Sequence, residues 1–259
     1  MKGRHEMYRE SYSSISKCSC GCPVKPFLND TFSGANVPAV RRRRFASGKN
    51  IAREWVPITG LCVVVSGVVK ISESTKDGEQ WIKSFVFPGE FIKLLPWSSV
   101  PSGDVRALTN VVVCDIDYQW GEQDEFNSPE IDRALLFAAA WEKKHSDLWQ
   151  RVMISRKPCD RVISFLIDVA GRSACDNRGE CVIELPMTHS DIADYLGLQR
   201  ETVSRSFTEL RNAGLITFLN RKTCLIRAIE KLSSLVDFNG SESLCDGYEA
   251  MTESAYQSL

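Results

Sequence analysis

Apolar residues change their spacing along the chain, and each change predicts a different kind of element. Between about residues 40 and 118, short apolar runs such as Leu61 to Val65 and Trp81 to Phe87 are separated by glycines. Asp77 and Gly78 form a strong hairpin-turn signal between two of these runs. Short strands with regular turn signals predict a small antiparallel β-barrel or jelly roll. Arg41 to Arg44 is interpreted as a solvated strand edge, with RNA polymerase or DNA phosphate as alternative contacts.

Downstream of the predicted barrel, apolar residues recur alternately three and four positions apart. This spacing predicts a long helix with a seam for a partner helix, and we interpret the seam as the interface of a homodimer. The alternative is that the seam packs against the protein's own barrel. The predicted interface residues are Ile131, Ala134, Ala138, Trp141, His145, Leu148 and Val152.

Near the carboxyl end, the stretch from Thr188 to Gly214 predicts two short amphipathic helices joined at Gly197. Two helices joined by a tight turn are typical of a helix-turn-helix. The residues predicted to face a common core are Ile192, Ala193 and Leu196 in the first helix and Val203, Phe207 and Leu210 in the second.

The opposite face of the second helix carries polar side chains that can read bases in the major groove. An arginine can donate to O6 and N7 of guanine, and a glutamate can accept from the cytosine amino group. Glu201 and Arg205 lie one helical turn apart; a surface ion pair between them is the alternative interpretation. The candidate DNA-binding residues on or next to these helices are Thr188, Arg200, Glu201, Thr202, Ser204 and Arg205.

Two short apolar runs after Gly214 predict a hairpin with Arg221 and Lys222 at its tip, placed as a wing that touches phosphate. Between residues 200 and 227, six arginine and lysine residues face two glutamates, a local net charge of +4 in a chain of net charge −1. The sequence therefore predicts a protein that binds double-stranded DNA.

Composition narrows the class of protein further. The chain of 259 residues is 43% hydrophobic and 25% charged, which fits two ordinary globular domains. No apolar stretch has the length of a bilayer span, so we expect a cytoplasmic protein without membrane contact. A reducing compartment makes a disulfide framework of the ten cysteines unexpected.

An enzyme is not expected. Metal-dependent barrel enzymes usually place two or three histidines inside the barrel, whereas this chain has His5, His145 and His189, all outside residues 40 to 118. No nucleophile elbow, phosphate loop or dinucleotide fingerprint is present either. A barrel metalloenzyme is kept only as a remote alternative.

The order of barrel, long helix and winged helix-turn-helix, over about residues 35 to 230, resembles the Crp-Fnr family of transcription regulators. The resemblance is carried by Ser66 to Lys70, Pro88 to Glu90, Asp191 to Leu198 and Glu201 to Arg205. The last segment looks most like the FNR and FixK branch. There the E-x-x-S-R pattern reads a T-T-G-A-T half-site, which the resemblance assigns to Glu201, Ser204 and Arg205. It also implies an inverted repeat as operator and activation through RNA polymerase.

The resemblance implies an α+β fold in five parts. These are a Cys-containing segment over residues 1–34, a cyclic-nucleotide-binding-like antiparallel barrel or jelly roll over 35–125, a dimerisation helix over 126–157, a winged helix-turn-helix over 158–235 and a flexible tail over 236–259. Family members that bind cyclic nucleotides hold the phosphate with an arginine-serine pair. Ser98 to Gly103 contains no arginine, so a cyclic nucleotide is not expected.

Four cysteines are candidate metal ligands. In FNR-type oxygen sensors, three amino-terminal cysteines and one barrel cysteine ligate a four-iron, four-sulfur (4Fe-4S) cluster, which here corresponds to Cys18, Cys20, Cys22 and Cys114. The C-x-C-x-C spacing is tighter than the family's. Zinc, or a metal-free tail with Cys114 buried in a strand, are therefore alternatives. Without a cluster, the chain would be a FixK-like regulator controlled by expression level or thiol oxidation.

Overall fold

The computed structural model describes residues 10–12, 40–54, 61–74, 80–93, 104–116, 157–173 and 179–236, with individual helical positions between 136 and 154. The chain forms two compact units, Met1–Lys143 and Lys144–Leu259. The boundary falls inside the predicted dimerisation helix, so each unit takes part of that segment. Within the described residues, no helix is both long and apolar enough to cross a membrane.

The first unit consists of short antiparallel strands in two sheets. One sheet has the order β1-β2-β8-β3-β6 and the other has the order β5-β4-β7. The two sheets are the arrangement of a jelly roll, and they confirm the predicted class of fold. The elements are β1 Glu10–Tyr12, β2 Val40–Phe45, α1 Ile51–Glu54, β3 Leu61–Ser66, β4 Val69–Ser74, β5 Gln80–Val86, β6 Phe91–Lys93, β7 Asp104–Ala107 and β8 Val111–Ile116.

Side chains from both sheets meet in one apolar core. Val64 and Val113 enter it from the first sheet, and Ile71 and Val105 enter it from the second. Because side chains alternate between the two faces of a strand, Val111 and Val113 of β8 both point into this core. Gly67 and Gly89, both with positive φ, lie between successive strands, which explains why glycines separate the apolar runs.

The interpretation of Arg41 to Arg44 as a strand edge is wrong for Arg41 and Arg42. All four arginines belong to β2, which pairs with β8 on one side, whereas β1 pairs on the other side with Val40, Arg41 and Arg42 alone. Arg44 is exposed. The amino-terminal strand β1 covers the side that the sequence pattern left open, with Glu10 in register opposite Arg42. Pairing between segments about 30 residues apart is not encoded in local periodicity.

The described residues of the second unit include four helices whose first and last residues are defined, and one small sheet. Pro158 starts the first of these helices, where its missing N–H leaves no hydrogen bond unmade. The sheet has the order β10-β11-β9. The elements are α2 Pro158–Gly171, β9 Cys181–Glu184, α3 His189–Leu196, α4 Arg200–Asn212, β10 Ile216–Phe218, β11 Thr223–Ile226 and α5 Ile229–Leu235.

The predicted dimer seam is largely outside the described residues. Of its seven members, only Val152 is described, and it is 1% exposed within the single chain. Its burial therefore needs no partner. Ile131, Ala134, Ala138, Trp141, His145 and Leu148 lie outside the described residues.

The described cysteines differ in state. Cys62, Cys114, Cys159 and Cys224 carry free thiols. Cys181, the first residue of β9, takes part in a disulfide bond, which the expectation of reduced cysteines did not foresee. Spacing along the chain does not reveal which thiols the fold brings together.

Candidate DNA-binding interface

Helix α3 begins and ends where its sequence dictates. The Thr188 hydroxyl accepts from the backbone N–H of Asp191, and the Asp191 carboxylate accepts from the backbone N–H of Thr188, which is a reciprocal capping box. Gly197 ends the helix with φ +60°, a left-handed torsion that favours glycine. The predicted hinge is therefore confirmed.

Helix α4 packs against α3 along its predicted apolar face. Ile192, Ala193 and Leu196 of α3 are buried, as are Val203, Phe207 and Leu210 of α4. Tyr195 and Ser206 are also buried, although the spacing did not single them out. With one face fixed in this way, the other face of α4 is presented to solvent.

The exposed face of α4 and the start of α3 form a shallow cleft of about 550 Å³. Glu201, Ser204 and Arg205 are exposed on this face. Among the described residues, no ion pair joins Glu201 to Arg205, so the alternative of a surface salt bridge is not realised. The cleft is lined by His189, Arg200, Glu201, Ser204, Arg205, Thr208 and Glu209.

Two of the predicted DNA-binding threonines lie in different settings. Thr188 is exposed, but its hydroxyl donates to Asp191 Oδ2 at 2.7 Å while accepting from the Asp191 N–H. Donation from this hydroxyl to a phosphate would therefore replace its bond to Asp191 Oδ2, whereas the two backbone bonds of the cap would remain. Thr202 is half-buried in the first turn of α4 and does not line the cleft.

The predicted wing is confirmed as the hairpin of β10 and β11. Phe218 lies in register opposite Cys224, and the backbone N–H of Lys222 donates to Asn220 Oδ1 at 2.8 Å, which shapes the tip. Arg221 and Lys222 are exposed there. Their charged side chains are therefore exposed to solvent at the tip of the hairpin.

The sequence pattern missed His189, the first residue of α3. Its ring stacks on Phe207, with 5.1 Å between centroids and 18° between planes, and Phe207 in turn meets Phe218 of the wing edge-on. Burial, with a smaller contribution from the Arg200 charge, lowers the pKa of His189 below its ordinary value of 6.5. The sequence signal for His189 was its position directly after the N-cap Thr188, because the start of α3 borders the cleft.

In the first unit, the predicted ligand Cys114 is 1% exposed in β8. Val111 and Val113 belong to the core, so alternation turns Cys114 to the opposite face of the sheet. Cys18, Cys20 and Cys22 lie outside the described residues. Ser98 to Gly103, the stretch that lacks the arginine expected of a cyclic-nucleotide site, also lies outside them. The described part of the chain holds no cluster of three or more histidine, cysteine or acidic residues.

Comparisons with known proteins agree with this architecture. The Crp-like helix-turn-helix domain matches residues 160–235, and the cyclic nucleotide-binding domain matches residues 42–120. The nitrogen fixation regulation protein FixK of Azorhizobium caulinodans is 31% identical over 217 residues, covering 76% of this chain and 79% of the relative.

Two further relatives point the same way. The transcriptional activator protein anr of Pseudomonas aeruginosa is 28% identical over 193 residues, which cover 73% of this chain and 78% of that protein. The structure of FixK2 from Bradyrhizobium japonicum has a TM-score of 0.64 at 24% identity, covering 78% of this chain and 99% of that one, and shows the shared fold.

The fold and the exposed recognition face define a transcription regulator that binds DNA through a helix-turn-helix. The chain belongs to the Crp-Fnr family, and its relatives include regulators of the FNR, Anr and FixK types. These relatives are transcription regulators, which is consistent with the prediction that the chain is not an enzyme.

Proposed function

We propose that this protein is a homodimeric activator that binds an inverted repeat of T-T-G-A-T-like half-sites. The observation that carries the proposal is the exposure of Glu201, Ser204 and Arg205 on one face of α4, with no ion pair between the two charged residues. An arginine in this position can donate both bonds to guanine, and a glutamate can accept from the cytosine of the same or the next pair.

Binding to the whole operator requires a second copy of the chain. One recognition helix covers a single half-site, so a two-fold pair of helices matches an inverted repeat with half-sites one helical turn apart. The heptad seam from Ile131 to Leu148 is our proposed dimer interface, without Val152, which is buried within its own chain. Activation through RNA polymerase is supported by relatives that are named transcriptional activators.

Fluorescence anisotropy with matched duplexes tests the half-site reading. Wild-type protein is titrated onto the intact repeat and onto a repeat whose T-T-G-A-T guanines are changed. Arg205→Ala should lose about 1–3 kcal/mol on the intact repeat for each base contact removed, and should bind the two duplexes with similar affinity. Arg211→Ala is the matched control, because Arg211 is exposed on the same helix but does not line the cleft. Unchanged discrimination by Arg205→Ala would contradict the proposal.

We further propose that Cys18, Cys20, Cys22 and Cys114 hold a 4Fe-4S cluster that makes DNA binding responsive to oxygen. The register of the first sheet supports this proposal, because Glu10 is paired with Arg42 and Arg42 with Cys114. Two strand spacings place Glu10 about 10 Å from Cys114. Cys18 follows Tyr12 by six residues, which span up to about 20 Å, so the amino-terminal thiols can reach Cys114.

Absorption spectra of protein purified without oxygen test the cluster. A broad thiolate-to-iron band that disappears in air, and that is absent in Cys114→Ser, is the expected result. Cys62→Ser is the matched control, because Cys62 is also fully buried in the same sheet but faces the core. A colourless protein that binds the repeat equally with and without air would instead show a FixK-like regulator without a cluster. A zinc site would give metal without this band.

A further inference from the structure

His189 lines the cleft that is formed by the exposed face of α4 and the start of α3. The six other residues that line the cleft belong to α4, and His189 alone reaches it from the start of α3. The stack on Phe207 fixes one face of the imidazole, and Phe207 is 3% exposed. This stack involves one face of the ring and not its edge, so the N–H and N groups are not used by the contact with Phe207.

The electrostatic setting of His189 is already strongly charged. Arg200, Glu201, Arg205 and Glu209 line the same cleft from α4, and Asp191 lies on its own helix, where its carboxylate is held by the capping box. Burial and Arg200 lower the pKa of His189, so the free protein carries a neutral imidazole near neutral pH. A phosphate group brought close to this ring would act in the opposite direction and favour the imidazolium.

We propose that His189 is a proton-linked contact to a phosphodiester of the DNA backbone, which donates an N–H and takes up a proton as DNA binds. This inference rests on the proposed function, since it requires α4 to lie in the major groove. Thr188 would have to give up its hydroxyl bond to Asp191 Oδ2 to make the same contact, whereas no hydrogen bond of the His189 ring has to be broken in the cap. The contact strengthens binding to all sequences alike, because phosphate carries no base identity.

The sign of the pH dependence follows from linkage. DNA raises the pKa of His189 above its value in the free protein, so the complex binds more protons than its separated parts between the two values. The added affinity is present at acidic pH and is lost as pH rises through the pKa of the complex. With one pKa unit gained on binding, the gain in affinity on acidification is at most about tenfold per protomer.

The experiment measures the dissociation constant of a fluorescein-labelled duplex against salt concentration, at pH 6 and at pH 8. Two duplexes are used, one with the inverted repeat and one without it. For the wild type, the slope of log affinity against log salt should be steeper at pH 6 by about 0.9 for each His189 contact. His189→Phe keeps a ring to stack on Phe207 but has no N–H, so its slope should be the same at both pH values.

His189→Lys supplies a permanent charge, and its slope should be steep at both pH values. Helical circular dichroism establishes that each variant is folded. Equal wild-type slopes at the two pH values would overturn the inference, as would a pH effect that persists in His189→Phe. A changed preference between the two duplexes in His189→Phe would show a base contact instead. Failure of the half-site reading has a different signature, equal affinity for the two duplexes, and leaves the pH effect measurable on either.

Discussion

Two glycines of the first unit have nearly the same backbone torsion but different surroundings. Gly48 has φ +85° and nothing within 4 Å of an added Cβ, whereas Gly67 has φ +83° and a Cβ there would overlap the carbonyl oxygen of Asn110. Gly48→Ala should cost about 1–2 kcal/mol of stability from the torsion alone. Gly67→Ala should lose about 1–3 kcal/mol more, because the overlap forces the backbone apart. Urea unfolding of both variants checks this difference, and equal losses would contradict it.

Cys224 shows how burial decides the chemistry of a single thiol. Its side chain is fully buried in β11, and desolvation raises the pKa of the thiol to about 11. The thiolate is the reactive form and the thiol is inaccessible, so alkylation of Cys224 at pH 8 should be very slow in the folded protein compared with the unfolded protein. Mass spectrometry of iodoacetamide-treated protein measures both rates. Equal rates in the folded and unfolded protein would refute the assignment of Cys224 as a packing residue.

At the scale of elements, α2 contains a buried ion pair that stabilises the second unit. Arg172 Nη2 lies 2.8 Å from Asp168 Oδ2, and Arg172 Nε also donates to Asp168 Oδ1, with both side chains 5–7% exposed. Asp168→Ala should destabilise the unit by about 3–5 kcal/mol, because it removes the carboxylate that neutralises the charge of a buried guanidinium.

Glu180→Ala is the control for this prediction. Glu180 pairs with Arg227 at 3.6 Å in the same unit, but both side chains are more than half exposed. Surface pairs of this kind contribute about 0–1 kcal/mol. Thermal unfolding of the two variants should therefore differ strongly. Similar midpoints would mean that the buried pair contributes no more than the exposed one.

The elements that the sequence predicted well are those whose signals are local. The capping residue Thr188, the left-handed Gly197 and the apolar spacing of α3 and α4 all act within a few residues, and the structure follows them closely. Pairings between distant segments were not predictable in this way. The covering of β2 by β1 and the stacking of His189 on Phe207 join positions whose proximity only the folded chain reveals.

At the scale of the whole molecule, positive charge is concentrated in the helix-turn-helix and wing and is balanced by negative charge elsewhere in the chain. The chain carries a net charge of −1, whereas residues 200 to 227 carry +4. Such a local excess attracts the DNA backbone without making the whole protein basic. Composition alone would thus have missed the DNA partner, and the motif on α4 was needed to find it. Three of the four cysteines of the proposed cluster lie outside the described residues, so a spectrum of the intact protein is the test of that proposal.

The wing provides the corresponding prediction for DNA affinity. Arg221 and Lys222 are exposed at its tip, so replacing both with alanine should weaken binding to all duplexes alike. The salt slope should fall by about 0.9 for each phosphate contact removed, while the preference for the intact repeat stays unchanged. Arg227→Ala is the matched control, because Arg227 is engaged with Glu180 and Thr217 and should leave the slope as it is. If the double variant instead lost its preference between duplexes at constant slope, the wing would contact bases rather than phosphates, which would contradict the assignment of base reading to α4.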